Sequence, residues 1–231
     1  MLSLLPLVLA LASEPVPSAT ARPTPLTEIG RTRTAPACSA IVAHANGAIT
    51  SALDNDRALT ILTTNLKNVD YDGMNDLQRR NAIESLMDQA GKVRVAGKIA
   101  DAEIKRLRDY AAASTDAQRK AELKTFADAL GGAIYRQTKA ANEMMRDVTI
   151  VQGREDAAEA RGIRDRDNPP PDTGAMAIAA NPQNRAHVPD PPKSYNQTFR
   201  RIAFDLSDLG TAIAADEGQA ADHSVAATSG C

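Results

Sequence analysis

Three histidines, His44, His187 and His223, are the side chains of this 231-residue chain best suited to act as bases or metal ligands near neutral pH. None of them follows a glutamate at the Glu-x-x-His spacing that carboxylate-bridged dimetal bundles use. The sequence also contains no Cys-x-x-Cys-His segment for covalent haem attachment. We therefore expect no metal or cofactor, and a packed or surface role for His44.

Carboxylates give no clearer signal for catalysis. Glu84 and Asp88 lie one helical turn apart, but Asp88 is also four residues before Lys92. Such a pair on a solvated helix face contributes a few tenths of a kcal/mol. The sequence has no phosphate-binding glycine-rich loop and no Gly-x-Ser-x-Gly nucleophile elbow. We therefore predict that the protein is not an enzyme.

The two cysteines, Cys38 and Cys231, form an even pair that could bond in an oxidising compartment. An intramolecular bridge would tie the end of the chain to the start of the first helix. Two alternatives remain open: an intermolecular bridge through Cys231, or two free thiols. Lipid modification of Cys38 is disfavoured, because the segment RTRT lies upstream where an apolar segment is required.

The first segment, MLSLLPLVLALASEP, indicates export. Its apolar run ends in Ala10-Leu11-Ala12, the small-x-small pattern of a signal-peptidase site, although no basic residue follows Met1. We predict a signal peptide over 1–12 and a periplasmic or secreted protein; the alternative is an apolar disordered tail. A net charge of -2 argues against a nucleic-acid partner, and no apolar run is long enough for an integral membrane span.

Prolines divide the chain, since none of the 13 lies between Ala37 and Asn168. A long stretch without proline favours long helices. The resulting layout is a disordered linker over 13–35, a three-long-helix bundle over 36–164 and a Pro-rich linker over 165–193. A fourth helix over 194–216 and a flexible tail over 217–231 follow.

Apolar residues recur at alternating spacings of three and four along four segments, which is the pattern of helices packed nearly parallel or antiparallel. The predicted helices span 36–67, 75–113, 116–161 and a stretch from 194. Capping boxes are predicted at Thr115 with Gln118 and at Ser194 with Gln197. Short connections force antiparallel neighbours. The predicted fold is all-α: an elongated antiparallel bundle of three long helices, with a fourth shorter helix docked after a Pro-rich linker.

Several glycines lie inside the predicted helices, where each costs about 1 kcal/mol relative to alanine. Counting residues from the two turns places Gly47, Gly97 and Gly132 at one level of the bundle, with Gly131 beside them. We favour a close-packing waist at this level; a hinge, a kink or a ligand opening is the functional alternative.

Two short segments, MNDLQRR at 74–80 and STDAQRK at 114–120, recur 40 residues apart. They resemble the Leu-Thr-x-x-Gln repeats of small periplasmic helical stress chaperones. Met74 and Ser114 replace the leucine, and Asn75 replaces the threonine of one copy. The resemblance implies an ATP-independent binder of unfolded exported proteins, and it covers about ten residues.

The sequence thus favours an exported non-enzymatic helical-bundle protein with a binding or structural interaction role in the cell envelope or outside the cell. The alternative is a periplasmic chaperone-like binder of unfolded proteins. The protein partner is not specified by the sequence, and self-association remains possible.

Overall fold

Four α-helices make up most of the chain that the structure, a computed structural model, describes. The structure describes residues 24–30, 38–167 and 192–228; for 160–167 it describes the backbone only. The helices are α1 (Ser39–Asn68), α2 (Asp76–Ala113), α3 (Ala117–Asp167) and α4 (Tyr195–Thr228). The described ranges contain no strand. The predicted all-α fold is therefore confirmed.

The helix starts follow local capping chemistry. At α2, the Asn75 side chain accepts the Gln78 backbone N–H at 2.9 Å, and the Gln78 side chain accepts the Asn75 N–H at 3.1 Å. At α3, Asp116 accepts the N–H groups of Gln118 and Arg119 at 2.9 and 3.0 Å. The predicted cap at Thr115 is thus wrong by one residue, because a carboxylate is the stronger acceptor at a helix N-terminus.

The helices pack as antiparallel neighbours. α2 packs against α1 and α3, and α4 packs against α3 and α1. Arg79 on α2 reaches Glu155 late in α3, while Arg108 reaches Asp128 early in α3, as an antiparallel pair requires. Every helix therefore buries one face against its two antiparallel neighbours, and α1 and α3 also contact each other across the bundle. This matches the three-four spacing of the apolar residues.

The bundle has two hydrophobic clusters, one towards each end. The first is built around Ile49, Leu107 and Phe126 and includes Ala220 and Ala227 of α4. The second is built around residues such as Leu62, Leu86, Met144 and Phe199. On each helix, residues near the middle separate the two clusters, so the bundle has a distinct central level.

α4 is longer than predicted. It continues to Thr228, so the flexible tail predicted over 217–231 is wrong for 217–228. Ala220, Ser224 and Ala227 are buried and continue the three-four spacing with small side chains. Small residues at close spacing allow helices to approach, although each buries little area. Residues 229–231 lie outside the described chain.

Part of the predicted disordered linker over 13–35 also packs on the bundle. Leu26 is 7% exposed and joins the first hydrophobic cluster. The Asn46 side chain of α1 accepts the Ile29 N–H at 2.7 Å and donates to the Ile29 carbonyl at 3.0 Å. The Thr24 hydroxyl donates to Asp222 of α4 at 2.6 Å. The prediction is therefore wrong for 24–30, and the rest of that linker lies outside the described residues.

Hydrogen bonds in both directions join the α1–α2 loop to the start of α4, and we call this set of contacts the clasp. Asp72 accepts the Tyr195 N–H and the Ser194 hydroxyl, both at 2.7 Å. Asn196 in turn accepts the Tyr71 N–H and donates to Asp70, both at 2.7 Å. The Ser194 hydrogen bond is the main reason that the pKa of Asp72 is lowered. The clasp fixes the level at which α4 meets the bundle.

Arg79 is a buried cation beside the clasp, with only 8% of its surface exposed. It pairs with Asp76 at 2.5 Å and with Glu155 at 2.6 Å, and its guanidinium lies 4.3 Å from the centre of the Tyr195 ring. Nη1 donates to the Met74 carbonyl at 3.0 Å. Carboxylates, a carbonyl and an aromatic face thus compensate for the charge that is taken out of water.

Candidate functional site

Four polar side chains occupy the level between the two hydrophobic clusters, and we call them the polar layer: Asn55, Asp56, Gln137 and Glu217. They come from α1, α3 and α4. Gln137 is fully buried, and its Nε2 lies 3.0 Å from Asp56 Oδ1 and 2.9 Å from Glu217 Oε1. The same nitrogen also donates to the Ala52 carbonyl at 3.0 Å. One amide therefore joins three helices at their midpoint.

Glu217 is the carboxyl group of the polar layer that holds its proton at neutral pH. Burial raises the pKa of Glu217 to about 8, with further contributions from the negative charge of Asp56, a hydrogen bond to Asp56 and the charge of Asp216. Two neighbouring carboxylates repel each other when both are ionised, which favours the protonated form of Glu217.

The polar layer keeps unused hydrogen-bonding capacity. Among the described residues, Asn55 Nδ2 and Gln137 Oε1 are buried and have no hydrogen-bond partner. Three acceptors also compete for the two hydrogens of Gln137 Nε2. A buried polar atom without a partner costs about 1–3 kcal/mol, so a layer of this kind is an unusual feature for a core.

A groove of about 290 Å³ runs along the surface between α1 and α4, and Asp56 and Glu217 stand at one end of it. We call it the α1–α4 groove. Ala140 of α3 forms part of its wall, and Gly210 of α4 leaves it open, since a Cβ at Gly210 would meet no atom within 4 Å. The groove is further lined by hydroxyl groups, among them Thr60.

Lys67 stands at the opposite end of the groove from the carboxyl pair. Its ammonium donates to the Ser207 hydroxyl at 3.0 Å and forms no ion pair with any residue in the described ranges. The Ser207 hydroxyl donates to the Ala203 carbonyl at 2.8 Å. The α1–α4 groove is thus negative at one end and positive at the other.

The four glycines of the predicted close-packing waist lie at two levels. A Cβ on Gly47 would lie 3.4 Å from Glu103 Cγ, and a Cβ on Gly131 would lie 3.0 Å from Arg108 Nη2 and 3.5 Å from Ile104 Cγ2. Gly47 and Gly131 therefore face the same part of α2. Gly132 faces α4, where a Cβ would lie 2.7 Å from an Asp216 oxygen.

Gly97 lies earlier on α2 than these contacts, beside the polar layer. A Cβ there would overlap the Thr138 hydroxyl of α3, so Gly97 faces 138 and not 132 as residue counting suggests. Helix side chains lean towards the helix N-terminus, which moves the contacts on the second helix of a hairpin to higher residue numbers. The glycines therefore permit close approaches at two levels about 9 Å apart, given 1.5 Å per residue over six residues.

The described histidines form two separate pairs with glutamates. His44 Nδ1 lies 2.5 Å from Glu103 Oε2, joining α1 to α2, and His223 Nδ1 lies 2.6 Å from Glu122 Oε2, joining α4 to α3. Both pairs are partly exposed. Each can act as an ion pair between helices when the imidazole is protonated. His187 lies outside the described residues.

The other residues singled out in the sequence stay apart from the polar layer. Glu84 is exposed, and Asp88 pairs with Lys92 at 2.8 Å, as its spacing predicts. Cys38 is 1% exposed, at the start of α1. Cys231 lies outside the described residues, so the Cys38–Cys231 bridge stays a prediction.

Sequence reasoning did not find the polar layer as a site. Asn55 and Gln137 stand within apolar helix faces, and this interruption is a signal that polar groups meet in the core. Asp56 lies one residue off the apolar face of α1, and Glu217 lies where a tail is predicted. Nothing in the spacing of these two carboxylates, 161 positions apart in the chain, reveals that they touch.

The fold and site define an all-α helical bundle with a polar central level and a groove between its first and last helices. The chain matches no protein-family model, no curated protein and no solved structure. Among the described helices, none combines the length and apolar character needed to cross a membrane. The described residues also include no cluster of three or more His, Cys, Asp or Glu side chains able to hold a metal ion.

The segments at 74–80 and 114–120 that resemble chaperone repeats both lie at helix starts. Asn75 and Gln78 form the capping box of α2, and the backbone of Gln118 is capped by Asp116 at the start of α3. Local capping thus accounts for these residue types. The chaperone-like alternative stays a prediction.

Proposed function

We propose that the protein is an exported, non-enzymatic helical bundle with a binding or structural interaction role in the cell envelope or outside the cell. The observation that carries the proposal is the docked segment 24–30. Its hydrogen bonds to Asn46 and Asp222 hold it on α1 and α4. Cleavage after Ala12 would leave this anchored segment and the whole described bundle intact.

The position of Cys38 supports an intramolecular bridge in such an exported protein. Ala227, near the end of α4, lies in the same hydrophobic cluster as Ile41, one turn after Cys38. Cys231 lies three positions after Thr228, and a chain of that length can span about 10 Å. A bridge would hold the last turn of α4 against the first turn of α1, where the docked segment also lies.

The test is the intact mass of the protein from an extracytoplasmic fraction, before and after reduction. We expect a chain that starts at Ser13 and that is about 2 Da lighter before reduction, because each bonded cysteine lacks one hydrogen. A Cys38→Ser variant is the control and should show no change on reduction. Full-length protein with free thiols, found only in the cytosol, would refute the export proposal.

A further inference from the structure

The α1–α4 groove carries opposite charges at its ends. Asp56 and Lys67 are eleven residues apart on α1, which is about 16 Å along a helix axis. The Lys67 ammonium is held at Ser207, which is ten residues before Glu217 on α4, or about 15 Å along a helix axis. An extended chain of three or four amino-acid residues is about 10–14 Å long and spans this distance once a hydrogen bond of about 3 Å at each end is included.

The wall between these ends offers polar groups that have no hydrogen-bond partner in the described part of the chain. The hydroxyls of Thr60 and Thr64 form no hydrogen bond with any described residue. Both residues are exposed, as is Gly210, where the missing side chain widens the groove. Apolar side chains, Leu59 and Ile213 among them, line the rest. A ligand with alternating amide and small apolar groups would match this wall.

We infer that the α1–α4 groove binds a short linear peptide of three or four residues, with its terminal ammonium at Asp56 and Glu217 and its carboxylate at Lys67. The volume of about 290 Å³ lies at the low end of small-molecule sites, which limits the ligand to this size. The buried Gln137 side chain already donates to both carboxyl groups through Nε2. Its Oε1 has no hydrogen-bond partner among the described residues. This inference does not depend on export and can fail separately from it.

Binding of an ammonium group should release a proton. The groups that surround Glu217 are Asp56 on α1, Gln137 on α3, and Asp216 on α4, which is itself paired with Arg136 of α3 at 2.7 Å. The ligand ammonium replaces the proton of Glu217, and this proton leaves to the buffer. The pair then carries two negative charges next to one positive charge of the ligand.

The test is calorimetric titration of the full chain with trialanine at pH 7 in two buffers of different ionisation enthalpy. We expect binding with release of close to one proton. N-acetyl-trialanine should bind at least about tenfold more weakly, since a charge-assisted hydrogen bond is lost. Trialanine amide should bind about two- to fivefold more weakly, since Lys67 is exposed.

Three variants sharpen the test. Gly210→Leu fills the groove at an exposed helix position and should abolish binding. Lys67→Ala should remove the preference for a free carboxylate, whereas Lys98→Ala, at an exposed site on α2, should bind as the wild type does. Glu217→Gln should bind trialanine without proton release. Far-ultraviolet circular dichroism confirms that each variant is folded.

The inference is overturned if trialanine at millimolar concentration gives neither heat nor chemical-shift changes with the wild-type chain. Equal affinity for N-acetyl-trialanine would also overturn it, because the ammonium would then have no role. Unchanged affinity in the folded Gly210→Leu variant would place any binding elsewhere. If the polar layer served only to set the helix register, Glu217→Gln would change the stability of the protein, and the wild type would bind no trialanine.

Discussion

Glu217→Gln should remove the loss of stability that we expect for the wild type as pH rises from 4.5 to about 8. The pKa of Glu217 is raised from 4.5 to about 8 by burial and by Asp56. The folded state therefore binds more protons than the unfolded state between these values. For this group, stability is highest below pH 4.5, falls as pH rises to about 8 and is constant above it. Glutamine stays neutral, as the protonated carboxyl is.

The size of the effect follows from linkage. Each pH unit over that interval corresponds to about 1.4 kcal/mol, so a fully buried group would lose about 5 kcal/mol. Glu217 is partly open to solvent at the groove, which reduces the loss to about 2–3 kcal/mol. At pH 9 the variant should exceed the wild type by that amount, and at pH 5 the two should be alike.

Urea unfolding followed by circular dichroism at pH 5, 7 and 9 measures this difference. Glu84→Gln is the matched control, since Glu84 is an exposed glutamate on α2, and its pH dependence should follow the wild type. Parallel stability curves for the wild type and Glu217→Gln would show that the Asp56–Glu217 pair holds no proton at neutral pH. The reasoning on the polar layer would then be refuted.

Three further predictions test the fold. Arg79→Ala should cost about 3 kcal/mol, because it removes a buried side chain and leaves the partly buried carboxylate of Glu155 without its partner. Arg80→Ala next to it should cost less than about 1 kcal/mol, and similar midpoints in urea for the two variants would contradict this. A methyl group at Gly91 would meet open space, so Gly91→Ala should stabilise the fold by about 1 kcal/mol and raise the melting temperature. A methyl group at Gly97 would overlap a hydroxyl on α3, so Gly97→Ala should lower the melting temperature. A rise in both variants would disprove close packing. Asp72→Ala should cost about 1 kcal/mol of stability at pH 7 and less in acid. The pKa of Asp72 is lowered in the folded state, so the stabilisation that this carboxylate provides is lost as pH falls below 3.8. A constant cost from pH 2 to 7 would argue against the clasp.

The helices could be predicted because their signal is local. The spacing of Ile83, Leu86, Ala90 and Val93 specifies one face of α2, and these residues are all buried. The end of α4 could not be found in the same way. Ala220, Ser224 and Ala227 are small, and their burial depends on how closely α1 and α3 approach, which the sequence of α4 does not encode by itself.

The candidate site could not be predicted from local sequence patterns either, because it depends on how distant helices meet. Asn55 and Gln137 mark polar positions in apolar faces, but the pattern does not reveal their partners. Asp56 and Glu217 meet only because α4 returns antiparallel to α1 at one register. The glycine levels show how sensitive that register is, since Gly97 faces Thr138 rather than 132. A shift of six residues on one helix decides which charges meet.

The clasp has a consequence for the order of folding. Neighbouring helices α1 to α3 can pair through short turns, whereas the bond between Asp72 and Tyr195 joins residues 123 positions apart. Once α1 to α3 have packed, Arg79 already pairs with Glu155, so the loop that remains to be closed runs from Glu155 to Tyr195 and costs about 3 kcal/mol in chain entropy. The docking of α4 is therefore the late, non-local step, and the three-helix species that precedes it exposes the apolar faces of α1 and α3 that α4 later covers. During that interval the protein is most open to association with a second copy of itself.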